Sequence, residues 1–176
     1  MQNQDFRAIA QRSTRRGFES TCPFFFLLSK GELRPPATPR TTQALPPVDD
    51  DELSESTFTA KIGSVTAMKR PTATVLAIRK VQSTFPDMIT VGRTANNDVV
   101  VTDVAVSRFH AFFELREDAV ALADAGSRNG TTVNGEALKP RAPATVVPPG
   151  SLVAFGTAEF MLLDAGALWD RLHKIP

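Results

Sequence analysis

The stretch that decides the fold runs from Gly92 to Gly135. It holds Gly92-Arg93, then Ser107-Arg108-Phe109-His110, then Gly126-Ser127-Arg128-Asn129-Gly130-Thr131, and closes on Asn134-Gly135. Between these polar clusters lie short apolar alternations. Ile89 and Val91 precede the first, Val99 to Val101 follow it, and Ala111, Phe113 and Leu115 share one strand face opposite Glu114 and Arg116. Strands of four to seven residues with Gly, Asn, Asp and Pro between them predict an all-β sandwich or barrel. Asn134-Gly135 is the dipeptide of a type I′ hairpin turn.

The same pattern continues outward. Leu76 and Ile78 alternate within residues 73–81, Val120 and Leu122 follow Glu117-Asp118, and Leu152, Phe155, Phe160 and Leu162 complete the series. Ala165 to Ile175, with Leu168, Trp169 and Leu172, suit a short closing helix. On the N-terminal side, residues 5–16 are expected to form one amphipathic helix, with Phe6, Ile9 and Ala10 on a face and Gly17 as its stop. Pro23 to Leu28 read as an apolar strand that must pack on something, either the domain or a partner, since exposed it would be a liability. A Pro/Thr-rich and then acidic stretch, residues 34–57, reads as an extended linker. The organisation expected is therefore an N-terminal helix and strand over 1–33, the linker over 34–57, and a domain over 58–176 with its core at 73–163.

Composition narrows the function. The 176 residues are 42% hydrophobic and 22% charged with a formal net charge of +1, which suits a globular protein and argues against bulk electrostatic binding to nucleic acid. The longest apolar run, seven residues from Cys22, is far short of the roughly 20 needed to span a bilayer. A single cysteine, Cys22, permits no internal disulfide and fits a reducing compartment, so a cytoplasmic protein is expected. Two histidines (His110, His173) and one cysteine do not make a usual zinc site. No nucleophile motif or phosphate-binding Gly-Lys loop is present, and no enzyme, metal or cofactor is expected.

What the polar clusters do suit is holding a phosphate and a peptide. Arginine is a planar fork of donors matched to phosphate oxygens, Ser107 brings a hydroxyl, and Asn129 offers both a donor and an acceptor to a peptide backbone. Gly126 and Gly130 permit the positive φ of a tight loop. Taken singly, each has a plain reading: a solvated surface arginine, a turn serine, a structural histidine. Their force lies in occurring together.

In order and spacing the set resembles the forkhead-associated (FHA) domain. The match comprises Gly92-Arg93 at the end of a strand, Ser107-Arg108-Phe109-His110-Ala111, Gly126 to Thr131 with Val133-Asn134-Gly135, and later Pro149-Gly150 and Phe155-Gly156. The resemblance covers roughly residues 73–163 and is to the small stand-alone bacterial type. It implies an eleven-stranded β-sandwich that binds phosphothreonine peptides with loops at one end. Arg93 and Ser107 would hold the phosphate, Arg108 would assist, Asn129 would bond the peptide backbone, and Arg128 would touch the phosphate's surroundings or the residues after it. Gly92, His110, Gly130, Asn134 and Gly135 would shape the loops. Many family members carry threonine where this chain has Arg128, a departure that bears on the residue preference after the phosphothreonine.

The function expected is a signalling adaptor downstream of Ser/Thr kinases, whose partner is a phosphothreonine-containing protein or the kinase itself. The alternative is a phosphate-independent scaffold, with self-association through the apolar N-terminal segment. Thr38, Thr41 and Thr42 are candidate phosphorylation sites; once phosphorylated, a tethered threonine would meet its own domain's site at high effective concentration.

Overall fold

A computed structural model describes residues 5–36, 73–82, 85–117 and 119–174. Thr38, Thr41, Thr42 and most of the expected linker lie outside these residues. In chain order the elements are α1 (Phe6–Arg12), α2 (Arg15–Thr21), β1 (Phe25–Ser29), β2 (Val75–Ile78), β3 (Ile89–Gly92), β4 (Val99–Val100), β5 (Ala111–Arg116), β6 (Ala119–Asp124), β7 (Thr131–Val133), β8 (Glu136–Ala137), β9 (Thr145–Val147), β10 (Leu152–Phe155), β11 (Ala158–Leu163) and α3 (Ala165–Lys174). One sheet has the order β2-β1-β11-β10-β7-β8 and the other β4-β3-β5-β6-β9.

The two sheets face each other across the main core. Phe113, Val120 and Leu122 from one side meet Leu27, Val153, Phe155, Phe160 and Leu162 from the other, all fully buried. The expected eleven strands are present, but β1 comes from the N-terminal segment and only β2 to β11 fall within 73–163. The run Pro23 to Leu28 thus has its packing partner within the chain: β1 lies between β2 and β11, antiparallel to both.

Its unbroken apolarity has a physical cause, because β1 is covered on both faces. Leu27 points into the sandwich, while Phe26 and Leu28 join a second core on the outer face with Phe6, Phe18, Cys22, Leu163 and Leu168. Phe26 is the centre of that layer, with ring centroids of Phe6 at 5.1 Å, Phe24 at 5.2 Å and Phe18 at 6.3 Å. Burial of Phe26 and Leu27, each 0% exposed, contributes about 1.5–3 kcal/mol per side chain. Little of the run is left outside to drive self-association.

Two local expectations need correction. Residues 5–16 form not one helix but two, and Gly17 lies inside the second rather than ending the first. Side-chain oxygens make the break. Ser13 is extended (φ −123°, ψ 154°) and its hydroxyl donates to the Ile9 carbonyl at 2.7 Å. Thr14 then starts a new helix, its Oγ1 accepting from Gly17 N at 3.2 Å. Such hydroxyls favour caps over helix interiors. The second correction concerns Leu115, which has the parity of buried Ala111 and Phe113 but is 55% exposed. It sits near the end of its hairpin, beyond the last residue of β5 that pairs with β3.

The turn at residues 134–135 has positive φ at both central positions, 52° at Asn134 and 89° at Gly135, as a type I′ turn requires. Asn134 also ties the hairpin to β10, its Oδ1 accepting from Leu152 N at 2.8 Å. At the C-terminus, Asp164 caps α3 by accepting from Ala167 N at 2.7 Å, and Arg171, His173 and Lys174 occupy the last turn, where cations suit the helix dipole.

Candidate functional site

Three connections meet at one end of the sandwich: the loop after β3, the segment 101–110 before β5, and the loop 125–130 after β6. The first two are pressed together at Gly92. A Cβ at that position would lie 2.2 Å from the Arg108 carbonyl oxygen, so no other residue fits without backbone movement. Arg93 N donates to the Ser107 carbonyl at 2.9 Å. The Arg108 carbonyl in turn accepts from Asn97 Nδ2 at 2.7 Å and Thr94 Oγ1 at 3.0 Å.

His110 joins the second and third connections from beneath. It is fully buried against Phe155, ring centroids 5.5 Å apart. Its Nδ1 accepts from Ser107 N at 3.0 Å, which places the hydrogen on Nε2, and that nitrogen donates to the Gly130 carbonyl at 3.1 Å. Burial holds the imidazole below its ordinary pKa of 6.5, against the Gly130 carbonyl and the Asp124 carboxylate, which raise it. The ring is therefore a neutral strut with both nitrogens occupied, and its geometry gives it no role as a base.

Two buried carboxylates brace the loops, and neither stood out in the sequence. Asp124 Oδ1 accepts from Gly126 N (2.8 Å) and Ser127 N (2.9 Å), and its Oδ2 from Ser127 Oγ and Thr131 Oγ1 (both 2.6 Å). Burial pushes its pKa up, but the bonds from Ser127, Thr131 and Gly126 outweigh this and hold it below the usual carboxylate value. With Gly126 and Gly130 at φ 88° and 75°, loop 125–130 is fully specified.

Asp98 does the same for the β2–β3 side. It accepts from Gln82 N (2.6 Å), Val81 N (2.7 Å), Thr90 N (2.8 Å), Thr90 Oγ1 (3.0 Å) and Lys80 Nζ (2.9 Å). Burial raises its pKa, the bonds from Gln82, Lys80, Thr90 and Val81 lower it more, and the result is about 2. A local signal was available for Asp124 alone: Asp124-Ala125-Gly126 is a turn sequence whose carboxylate bonds the backbone two and three residues on.

On this frame sits an open groove of about 610 Å³, lined by Arg93, Val104, Ala105, Val106, Ser107, Arg108, Phe109, Gly126, Arg128 and Asn129. All five residues singled out from the sequence as contact groups line it. Gly92, His110 and Gly130 lie beneath or beside it, while Asn134 and Gly135 shape the β7–β8 turn. Ser107 Oγ accepts from Arg128 N at 3.0 Å, which leaves its own hydrogen to donate. Asn129 Nδ2 donates to the Ala105 carbonyl at 2.8 Å, which fixes the amide and leaves its Oδ1 to accept.

The electrostatics of the lining are one-sided. It holds three arginines and no carboxylate, and among the described residues none of the three takes part in an ion pair. Arg93 Nε is buried with no hydrogen-bond partner among the described residues, and a buried donor of this kind suits an anionic acceptor. Sequence reasoning also passed over Arg141. Its guanidinium lies against Gly126, where a Cβ would stand 2.9 Å from Arg141 Nε, and its backbone is held at φ 59° with N donating to the Asp124 carbonyl at 2.8 Å. Among the described residues no His, Cys, Asp and Glu side chains group so as to hold a metal, and no helix is long and apolar enough to cross a membrane.

Part of the chain is similar to known proteins. The family model described as "FHA domain" matches residues 89–156. The chain is 39% identical over 78 residues to the "Oxoglutarate dehydrogenase inhibitor" of Corynebacterium glutamicum, covering 44% of this chain and 52% of that one. It is 36% identical over 72 residues to the "Glycogen accumulation regulator GarA" of Mycobacterium tuberculosis, covering 41% and 42%. The matched part thus spans about half the length of these curated relatives. Among solved structures, the FHA domain of the CT664 protein from Chlamydia trachomatis superposes with a TM-score of 0.43 at 26% identity, over 52% of this chain and 85% of that one. Every residue lining the groove lies inside the stretch 89–156 that matches the FHA-domain family model.

Proposed function

We propose that the groove binds a phosphothreonine-containing segment of another protein, and that the chain works as a non-catalytic signalling adaptor downstream of a Ser/Thr kinase. The observation that carries this reading is the set of three arginines lining one groove without a carboxylate, none of them in an ion pair among the described residues. Such a groove favours a dianion. Arg93 supplies the guanidinium fork, the Ser107 hydroxyl donates a further bond, and Arg108 and Arg128 add charge from the rim. The Asn129 carbonyl accepts a peptide N–H, so the ligand is gripped by its backbone as well as by its phosphate. Threonine as the phosphorylated residue follows from the FHA resemblance rather than from the charges.

Nothing in this arrangement breaks a bond: the one histidine at the site is a buried strut, and both nearby carboxylates are consumed as loop braces. The kinase and the adaptor meet in the cytoplasm on this account, where a free thiol such as that of Cys22 persists. The test is capture from a degenerate phosphothreonine peptide library on the immobilised chain, beside the same library after phosphatase treatment. Enrichment of defined sequences from the first alone is the expected result; equal retention of both would overturn the reading.

A further inference from the structure

The groove has an apolar flank as well as a basic one. Phe109, between Arg108 and His110, lines the groove and is 43% exposed. Its ring stacks on Phe85, 47% exposed, with centroids 6.3 Å apart and planes 11° from parallel. Val104, 53% exposed, lines the same groove. Of the six large exposed hydrophobics among the described residues, Val104 and Phe109 therefore line the groove and Phe85 stacks on Phe109 beside it. The loop does not need the Phe109 ring to hold its shape, because the bonds from Asn97 and Thr94 to the Arg108 carbonyl and from Ser107 N to His110 already set it. A parallel stack covers one face of each ring and leaves apolar surface in water, ready for a third apolar group.

We propose that the Phe85–Phe109 pair determines specificity in this groove, receiving a large apolar side chain of the bound phosphopeptide. The inference rests on the phosphopeptide reading and adds to it the chemistry of the partner's flanking sequence. Ser107 and Phe109 are two residues apart and line the same groove, so a peptide anchored by its phosphate at Ser107 and Arg93 passes beside the ring. An extended chain advances about 3.3–3.6 Å per residue, which puts the apolar side chain within about three residues of the phosphothreonine. A second copy of the chain is a poorer occupant, because Phe109 shares its groove with three arginines that form no ion pair among the described residues and call for an anionic ligand.

The experiment is a set of titrations with an alanine-based phosphothreonine peptide in which leucine is moved through the three positions on each side, using the full chain, Phe109→Ala and Phe85→Ala. Wild type should bind one leucine peptide about tenfold more tightly than the alanine parent, the scale expected for burying part of one aliphatic side chain. Each variant should bring that preference below about twofold, losing more affinity for the leucine peptide than for the alanine parent, and both should remain folded, since each ring is nearly half exposed. Phosphate-dependent binding with no apolar preference at any position would overturn the inference. So would a preference that survives both substitutions, or an equal loss on parent and leucine peptides, which would make the pair a prop for the loop. If the parent binds no better than its unphosphorylated form, the phosphopeptide reading itself fails and this one with it.

Discussion

The rim and the floor of the groove are built on opposite principles. On the floor, Asp98, His110 and Asp124 are buried and their side-chain polar atoms are engaged; Asp98 alone accepts five bonds. On the rim, Arg108, Phe109, Arg128 and Asn129 are exposed, and the cations lack counter-charges among the described residues. The difference teaches how a binding site is made from loops. Groups meant for a ligand are left unpaired, which the fold can tolerate only because other side chains, out of reach of the ligand, fix the loops. Preorganisation of this kind lowers the ordering cost of binding.

If that division is right, substitutions should sort into those that unfold and those that merely stop binding. The largest effect should come from Asp98→Ala or Asp124→Ala, each of which leaves several donors without an acceptor. At about 1–3 kcal/mol for each unsatisfied buried group, stability should fall by about 3 kcal/mol or more, read as a shift of the denaturation midpoint. A wild-type midpoint would mean the carboxylates are not braces.

Arg93→Ala comes next, with the opposite signature: phosphopeptide binding weaker by about 1.5–3 kcal/mol, the range for a hydrogen bond to a charged group, and the melting temperature retained. Unfolding of this variant would blur the line between rim and floor, since a side-chain nitrogen of Arg93 is itself buried.

The floor should also respond to acid in a defined order. The folded His110 titrates below 6.5, so the unfolded chain takes up its proton first, and stability is lost as pH falls below about 6.5 toward the folded value. Asp98, at about 2 when folded against 3.8 as its ordinary value, contributes stability that is present above 3.8 and lost as pH falls from there toward 2. Melting temperatures from pH 8 to pH 3 should show the first loss in wild type and a weaker one in His110→Gln.

Smaller still are the exposed cations. Arg108→Ala and Arg128→Ala should each weaken binding by about 0.2–1 kcal/mol, as expected for exposed charge pairs. The difference from wild type should shrink as salt is raised. Leu115→Ser, far from the groove on an exposed strand end, should change stability by less than about 0.5 kcal/mol.

This same division explains what could be read from the sequence. The rim was legible because its residues stand in short loop motifs, Gly92-Arg93, Ser107-Arg108 and Arg128-Asn129, whose order is itself the signature. The strands were legible where alternation was clean, as at Ala111 and Phe113. The floor was less so: Asp98 bonds Val81 and Gln82 across 17 and 16 residues, and no local pattern announces such a partner. The place of β1 was hidden for the same reason, since Leu28 pairs with Met161 only once the chain has folded. Its lack of alternation was nonetheless a clue, being what a strand covered on both faces requires. The helix break at Ser13-Thr14 was legible in principle, as two hydroxyl residues in succession compete with the helix for backbone bonds.

The central claim is that the unpaired arginines of the groove exist to hold a phosphate. Its most direct test is a calorimetric titration of one captured peptide, phosphorylated and unphosphorylated, into the full chain at moderate salt. With several charge-assisted bonds at stake, the phosphorylated form should bind more tightly by a factor of about 100 or more. Affinities equal within experimental error would contradict the account.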